Sequence, residues 1–453
     1  MAASLPIASA LIALLFAAGT FAGHAQQPAP DSGSAPAPAP KIDMTPVKPE
    51  SVGFSPDRLD RLHAAIQEEI DQKHLAGAVT ILARHGKIVD YRTYGMRDMA
   101  TATSMTKDTI FRDYSMTKPV TGVAMMILYE EGKWLPSDPI SKYIPEFAHL
   151  KVFNGFDANG KMLLADPDHA PTMHELMTHT AGFTYGNNDT PVDTMVHDLK
   201  LNDAKNLQER IERLAQAPLL YQPGTRWVYS LSMDIQGYIV EKLSGQSLPD
   251  FMRDHIFSPL GMTDAGFFVP ADKRARFAAG YHETDGQLVA EATTNGIPDD
   301  YASQPTNPEG GGGLVSTAED YYRFAQMLLN SGELGDTRGE TRILAPATAK
   351  LMTSNHLPAA LLTGQFGIGQ HIMRPGFGYG YNCAVVYDPP LADLSDGKGT
   401  FFWDGAAGTW FWADPTNDIV FVGMIQRRTS PDNHHLLYRV HALVDQALVD
   451  PSK

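Results

Sequence analysis

One cysteine, Cys383, is all that the 453-residue chain contains, so an intrachain disulfide is excluded and no thiol near the N-terminus is available for lipidation. Positive charge is also short: 36 Lys and Arg stand against 52 Asp and Glu, a formal net charge of -16, and no long basic run offsets it. That balance argues against nucleic acid as the main partner. There is no G-x-S-x-G nucleophile elbow. A zinc helix is missing too, because His174-Glu175-Leu176-Met177-Thr178-His179 has three residues between Glu175 and His179 where H-E-x-x-H needs two. Gly310 to Gly313 has no Lys-Ser/Thr after it and opens no βαβ unit, which excludes a nucleotide loop; it reads as close backbone approach ahead of a helix after Thr317, with Asp320 in the first turn. No metal and no other cofactor is expected. Cys383 has no motif around it and reads as a buried strand residue.

Long apolar runs are scarce as well. Leu11 to Gly19 is too short to span a bilayer comfortably and leads to the small-x-small tripeptide Gly23-His24-Ala25. Although no Lys or Arg precedes it, the pattern predicts an export signal over residues 1–25, cleaved near Ala25, and a periplasmic or secreted mature protein that does not span the membrane.

Residues 26–47 are a Pro- and Ala-rich linker that cannot build a core. A first α/β segment is expected over 48–135. Ser55-Pro56 signals a helix start, with Leu59, Leu62 and Ile66 on one face, and a hairpin follows from 78–84 through His85-Gly86 to 87–95. A second α/β segment covers 301–450, with adjacent strands at 409–414 and 419–426 and a last helix from Asn433 to Val449. Strands and helices at both ends, without a βαβ rhythm, predict an antiparallel sheet assembled from the two termini and flanked by helices. Between them, 136–300 reads as an inserted, mainly helical lobe, including a polar helical stretch Leu199–Arg213 and another over Asp234–Leu243. A cleft between lobes is the natural place for chemistry.

The tetrapeptide SMTK occurs twice, at 104–107 and at 115–118. After Lys118, residues Val120, Val123, Ile127 and Leu128 supply a buried helical face, so Ser115 opens a helix and Lys118 rises one turn later on the same side. A serine hydroxyl needs a base to take its proton as it attacks, and a lysine serves only if desolvation or nearby positive charge lowers its pKa. Ser104 stands in a polar, threonine-rich loop without such a helix. Ser115 is therefore the expected nucleophile.

In this setting the chain resembles the class C β-lactamase and penicillin-binding-protein-like serine hydrolases, esterase branch. The resemblance covers most of 48–448. It rests on Ser115-Met116-Thr117-Lys118, on Pro223-Gly224-Thr225-Arg226-Trp227-Val228-Tyr229-Ser230, and on Trp403-Asp404-Gly405 followed by Ala406-Ala407-Gly408-Thr409, in the family's order. Thr178-His179-Thr180-Ala181-Gly182 and Gly310 to Thr317 are also similar to the esterase branch. The resemblance implies an acyl-enzyme on Ser115, proton transfers shared by Lys118 and Tyr229, and an oxyanion hole from the backbone N–H groups of Ser115 and Ala406. Leu231 stands where the β-lactamases carry an asparagine, and Trp403 removes a cationic side chain, so Leu231, Trp403, Asp404 and Gly405 are the substrate-pocket candidates. Asp404 would oppose anionic substrates if it faced the cleft; the alternative is that it points away or is paired.

These features favour a carboxylesterase for small to medium neutral esters. The alternatives are a β-lactamase, D-aminopeptidase or oligomer amidase, and a catalytically idle binding protein of the same fold. His179 is expected to order a loop through its ring, and His434-His435 to be exposed or packed at the terminal helix. Oligomeric state is not legible.

Overall fold

Pro56 needs no backbone N–H at the first position of a helix, and Ser55 before it is extended (φ -91°, ψ 121°), so α1 (Pro56–Asp71) begins where the dipeptide signals. Leu59, Leu62, Ala65 and Ile66 form its buried stripe. The chain then turns through His85 (φ 54°) and Gly86 (φ 67°), both left-handed, which suits the twist of a two-residue hairpin between β1 (Gly77–Arg84) and β2 (Lys87–Asp98). A short edge strand, β3 (Thr103–Ser104), follows.

The computed structural model describes residues 39–186, 189–291, 301–336, 339–362, 374–428, 430 and 432–453. The expected export signal, most of the expected linker and the segment 292–300 lie outside the described residues. The later strands are β4 (Phe377–Tyr379), β5 (Ala384–Val386), β6 (Phe401–Asp404), β7 (Trp410–Asp414) and β8 (Ile419–Met424). They join the first three in one antiparallel sheet of order β4-β5-β6-β7-β8-β1-β2-β3. The joint between the chain ends is β1 against β8, with Ile81 opposite Val422.

Strand periodicity divides this sheet's residues between two cores. Val79, Ile81, Ala83, Val420 and Val422 face one side, while Ala78, Leu82, Ile419 and Phe421 face the other. The helices that contribute to these cores, besides α1, include α2 (Thr117–Glu130), α3 (Ser232–Ser244), α4 (Ala318–Leu329) and α5 (Asp432–Asp445). Leu59, Leu62 and Ile66 of α1 and Leu436, Val440 and Val444 of α5 share one core with Trp410, Trp412 and Phe421. The other contains Val120, Val123, Phe324 and most of the extra helical region. Each fully buried aliphatic side chain contributes about 1.5–3 kcal/mol, so the two-sided burial of β1 and β8 anchors the platform.

The extra helical region carries more than helices, since it includes the hairpin Val152–Phe156/Met162–Ala165. The expected helix over Leu199–Arg213 is interrupted. Lys200 is left-handed (φ 50°), a short 3₁₀ turn covers Leu201–Asp203, and the helix proper runs Leu207–Leu214 behind an Asn206 cap that accepts from the Glu209 N–H. Cys383 is buried beside β5. No helix among the described residues is long and apolar enough to cross a membrane.

Candidate active site

Two short strands carry Ser115 into place: Phe111–Arg112 pairs with Val315–Ser316. The chain leaves them through Tyr114, left-handed at φ 46°, and Ser115 sits in a 3₁₀ turn, Tyr114–Met116, immediately ahead of α2. Thr117 Oγ1 donates to the Tyr114 carbonyl oxygen (2.6 Å) and accepts from the Leu314 N–H (3.1 Å). Tyr321 donates to the Met116 carbonyl oxygen (2.8 Å). A strained bulky residue held by surrounding bonds is a common way to present a reactive side chain. The second SMTK copy has no such frame: Ser104 is exposed on edge strand β3, and Lys107 lies over the Tyr91 ring.

Lys118 Nζ is 3.0 Å from Ser115 Oγ, and Tyr229 donates its phenol proton to the same oxygen at 2.7 Å. Nζ also reaches the Gly311 carbonyl oxygen (2.6 Å) and the Tyr185 hydroxyl (3.0 Å). A neutral amine has two protons and one lone pair. With the protons directed to Gly311 and Tyr185, the lone pair is left facing Ser115. Burial brings the Lys118 pKa down to about 7, against the opposing pull of Asp234, Glu309 and Asp404, so the neutral amine is accessible at neutral pH. Burial also pushes the Tyr229 phenol well above its ordinary range and keeps it protonated, while hydrogen bonding to Ser115 and Trp403 only partly offsets this.

Tyr185 was not among the residues that the sequence points to, although it stands three positions after Gly182 of the Thr178–Gly182 motif. Behind it lies a buried charge network. Asp234 accepts from the Gly311 N–H (3.3 Å) and pairs with Arg210 (3.5 Å), which also bonds Glu309 (3.1 Å). Gly310 has to be glycine, because a Cβ there would collide with the Met233 carbonyl oxygen of α3. The expected close backbone approach is thus the contact that brings Gly311 to Lys118. The Thr317–Asp320 capping box starts α4 as anticipated. A cavity of about 330 Å³ lined by Arg210, Phe267, Tyr301, Glu309 and Gly313 borders this network, but Ser115, Lys118 and Tyr229 do not line it.

At the third motif the strand alternates. Trp403 is buried on the side of Tyr229, with ring centroids 5.7 Å apart. Asp404 takes the opposite face and pairs with His434 Nε2 of α5 (3.4 Å), which raises the His434 pKa. Asp404 is thus paired, one of the two alternatives, and His434 is exposed on the terminal helix as expected, with this pairing in addition. Leu231 is buried in the core two residues past Tyr229, at the start of α3. A Cβ on Gly405 would strike the Asp113 carbonyl oxygen, so the Gly405–Ala406 turn lies directly against the segment that carries Ser115. Among the described residues, neither the Ser115 nor the Ala406 N–H donates to a backbone acceptor in a turn or loop. His179, left-handed at φ 58°, shares a 3.0 Å bond between its Nδ1 and Ser230 Oγ and accepts the Val228 N–H through its carbonyl oxygen (2.9 Å), which orders the Tyr229 loop.

The beta-lactamase family model matches residues 62–446. The chain belongs to the beta-lactamase family. An uncharacterized protein of Mycobacterium tuberculosis is 36% identical over 379 residues, covering 81% of this chain and 90% of the relative. Esterase EstB of Burkholderia gladioli is 32% identical over 394 residues, covering 81% and 91%. The solved structure of EstCE1, a hydrolase with promiscuous acyltransferase activity, superposes with TM-score 0.71 at 26% identity, covering 87% of this chain and 98% of that one. Within the beta-lactamase family this chain has the class C and penicillin-binding-protein-like serine-hydrolase fold, in the esterase and acyltransferase branch.

Proposed function

We propose that this beta-lactamase family member is a serine carboxylesterase that hydrolyses small to medium neutral esters through an acyl-enzyme on Ser115. The observation that carries the reading is the position of Ser115 Oγ between the Lys118 amine at 3.0 Å and the Tyr229 phenol at 2.7 Å. In acylation, neutral Lys118 takes the Ser115 proton as Oγ bonds to the ester carbonyl carbon. The carbonyl electron pair moves to its oxygen, toward the Ser115 and Ala406 N–H groups. On collapse the C–O bond breaks, Tyr229 gives its proton to the departing alkoxide, and the Lys118 ammonium restores the phenol. Deacylation runs the same transfers with water as the nucleophile.

Neutral esters are favoured because Trp403 offers no cation to a substrate carboxylate and no amide stands at Leu231. Similarity to the esterase of Burkholderia gladioli supports ester hydrolysis. An alcohol in place of water would turn the acyl-enzyme toward transfer, and similarity to EstCE1, a hydrolase with promiscuous acyltransferase activity, supports that side reaction. Amides and β-lactams are expected to turn over more slowly than matched esters. The test is a panel of aryl esters, alkyl esters, β-lactams and short peptides assayed with wild type and Ser115→Ala. Ester turnover lost in the variant supports the reading; ester turnover that persists undiminished overturns it. Export is part of the proposal, on the Leu11–Ala25 pattern, and N-terminal sequencing of the mature protein checks it.

A further inference from the structure

Asp113 is a carboxylic acid where the packing has no use for charge. It is fully buried two residues before Ser115. Its main chain joins the three pieces that meet at the nucleophile. The N–H donates to the Leu314 carbonyl oxygen (2.9 Å), and the carbonyl oxygen accepts from the Met116 N–H (3.1 Å) and from Thr409 Oγ1 (3.1 Å). That carbonyl also abuts Gly405, so it sets the spacing between the turn bearing Ala406 and the turn bearing Ser115. The side chain adds one tie: Ser316 Oγ donates to Oδ1 at 2.9 Å. Oδ2 has no hydrogen-bond partner among the described residues.

We propose that Asp113 is a positioning residue for Ser115, its buried carboxyl fastening the nucleophile turn to the Val315–Ser316 strand. The inference rests on Ser115 being the nucleophile.

The groups around the carboxyl decide which protonation state can do this. From the Val315–Ser316 strand comes only the Ser316 hydroxyl. From α4 come Asp320, a like charge, and Tyr321, whose hydroxyl is committed to the Met116 carbonyl oxygen. Tyr301 acts from the adjoining loop and is itself a proton-bearing phenol. The neighbouring Arg112 guanidinium donates to the Ala278 carbonyl oxygen and stacks on the Phe277 ring. Thr409 donates to the Asp113 main chain. Burial first, and then the Asp320 charge, raise the Asp113 pKa to about 8 against the single Ser316 bond. The neutral acid is therefore the form that fits. When it ionises, an uncompensated charge appears at the tie between the Ser115 turn and the Val315–Ser316 strand, and the position of Ser115 is disturbed.

The expected consequence is a bell-shaped pH profile for Ser115 reactivity. The rising limb near pH 7 belongs to Lys118, and the falling limb above about pH 8 belongs to Asp113. Asparagine copies the neutral acid and cannot ionise. Asp113→Asn is expected to keep within about threefold of the wild-type plateau and to lose the falling limb, and Asp113→Leu to label at least about tenfold more slowly at every pH. The experiment measures the second-order rate of fluorophosphonate labelling from pH 6 to 10 on the full-length protein, with intact mass as readout and circular dichroism to establish folding. If Asp113→Leu does not fold, the Asp113→Asn profile decides alone. A falling limb near pH 8 that survives in Asp113→Asn, or no falling limb in wild type, overturns this inference alone. An adduct that persists in Ser115→Ala removes the functional reading and this inference with it.

Discussion

Tyr229→Phe isolates one proton. The ring it leaves in place is gripped by His179, Tyr185, Trp403 and Trp227, with centroids 5.0 to 6.1 Å away, so the packing survives. Losing the hydroxyl removes its bonds to Ser115 and Trp403 and costs about 1–3 kcal/mol of stability, a shift of a few degrees in Tm. The catalytic loss is expected to depend on the leaving group. An alkoxide from an alkyl ester needs a proton as its bond breaks, and a positioned general acid contributes roughly 10²- to 10⁴-fold, or about 3–5 kcal/mol of barrier. A nitrophenolate leaves with little help, so the loss there is expected to be about tenfold or less. The assay compares kcat/KM of wild type and variant on ethyl and p-nitrophenyl esters of the same acid. Equal losses on both would show that Tyr229 does not act on the leaving group. Losses under about threefold on both would remove it from the chemistry altogether.

Three further outcomes test other parts of the site. Because Lys118 must be neutral to act, kcat/KM is expected to fall about tenfold per unit below pH 7, and Lys118→Arg, which stays charged, is expected to abolish turnover; an active arginine variant would refute the base assignment. Tyr185→Phe removes one of the three contacts that orient the Lys118 amine, so kcat is expected to drop about fivefold with KM little changed, and an unchanged kcat would show that Gly311 and Ser115 hold the amine without it. Asp404→Asn is expected to leave kcat within about threefold. Its stability effect follows the raised pKa of His434: the pair contributes fully below the ordinary imidazole pKa, and its contribution disappears as pH rises through the raised value. With His434 half exposed, that contribution is below about 1 kcal/mol, seen as a lower Tm for the variant at acidic pH and none at alkaline pH. A large kcat loss at unchanged Tm would place the Asp404 charge in the chemistry.

The local signals that read well were those whose physics is local. Ser55-Pro56, His85-Gly86 and Thr317 with Asp320 each place an element boundary through backbone geometry or capping, which neighbouring residues alone decide. The β-rich runs at 78–84 and 419–426 placed β1 and β8, and the apolar face behind Lys118 separated Ser115 from Ser104. The stretch Leu199–Arg213 failed because composition does not reveal a left-handed Lys200 or an Asn206 cap within a helical pattern. Tyr185 escaped because nothing beside it in sequence marks a tyrosine as a lysine's partner. It meets Lys118 only when residues 67 positions apart are folded together.

Sequence by itself determined the elements of the two-ended sheet and the order of the three motifs, since these follow from periodicity, turn chemistry and spacing. Tertiary structure alone decided what the charges do. It buried Lys118 until its amine could be neutral at neutral pH, turned Asp404 away from Trp403 toward His434, and set the Asp113 carboxyl, two residues before Ser115, against Ser316. The cause is the same in each case: an ionisable group takes its behaviour from the dielectric and partners around it, and those are assembled from distant parts of the chain.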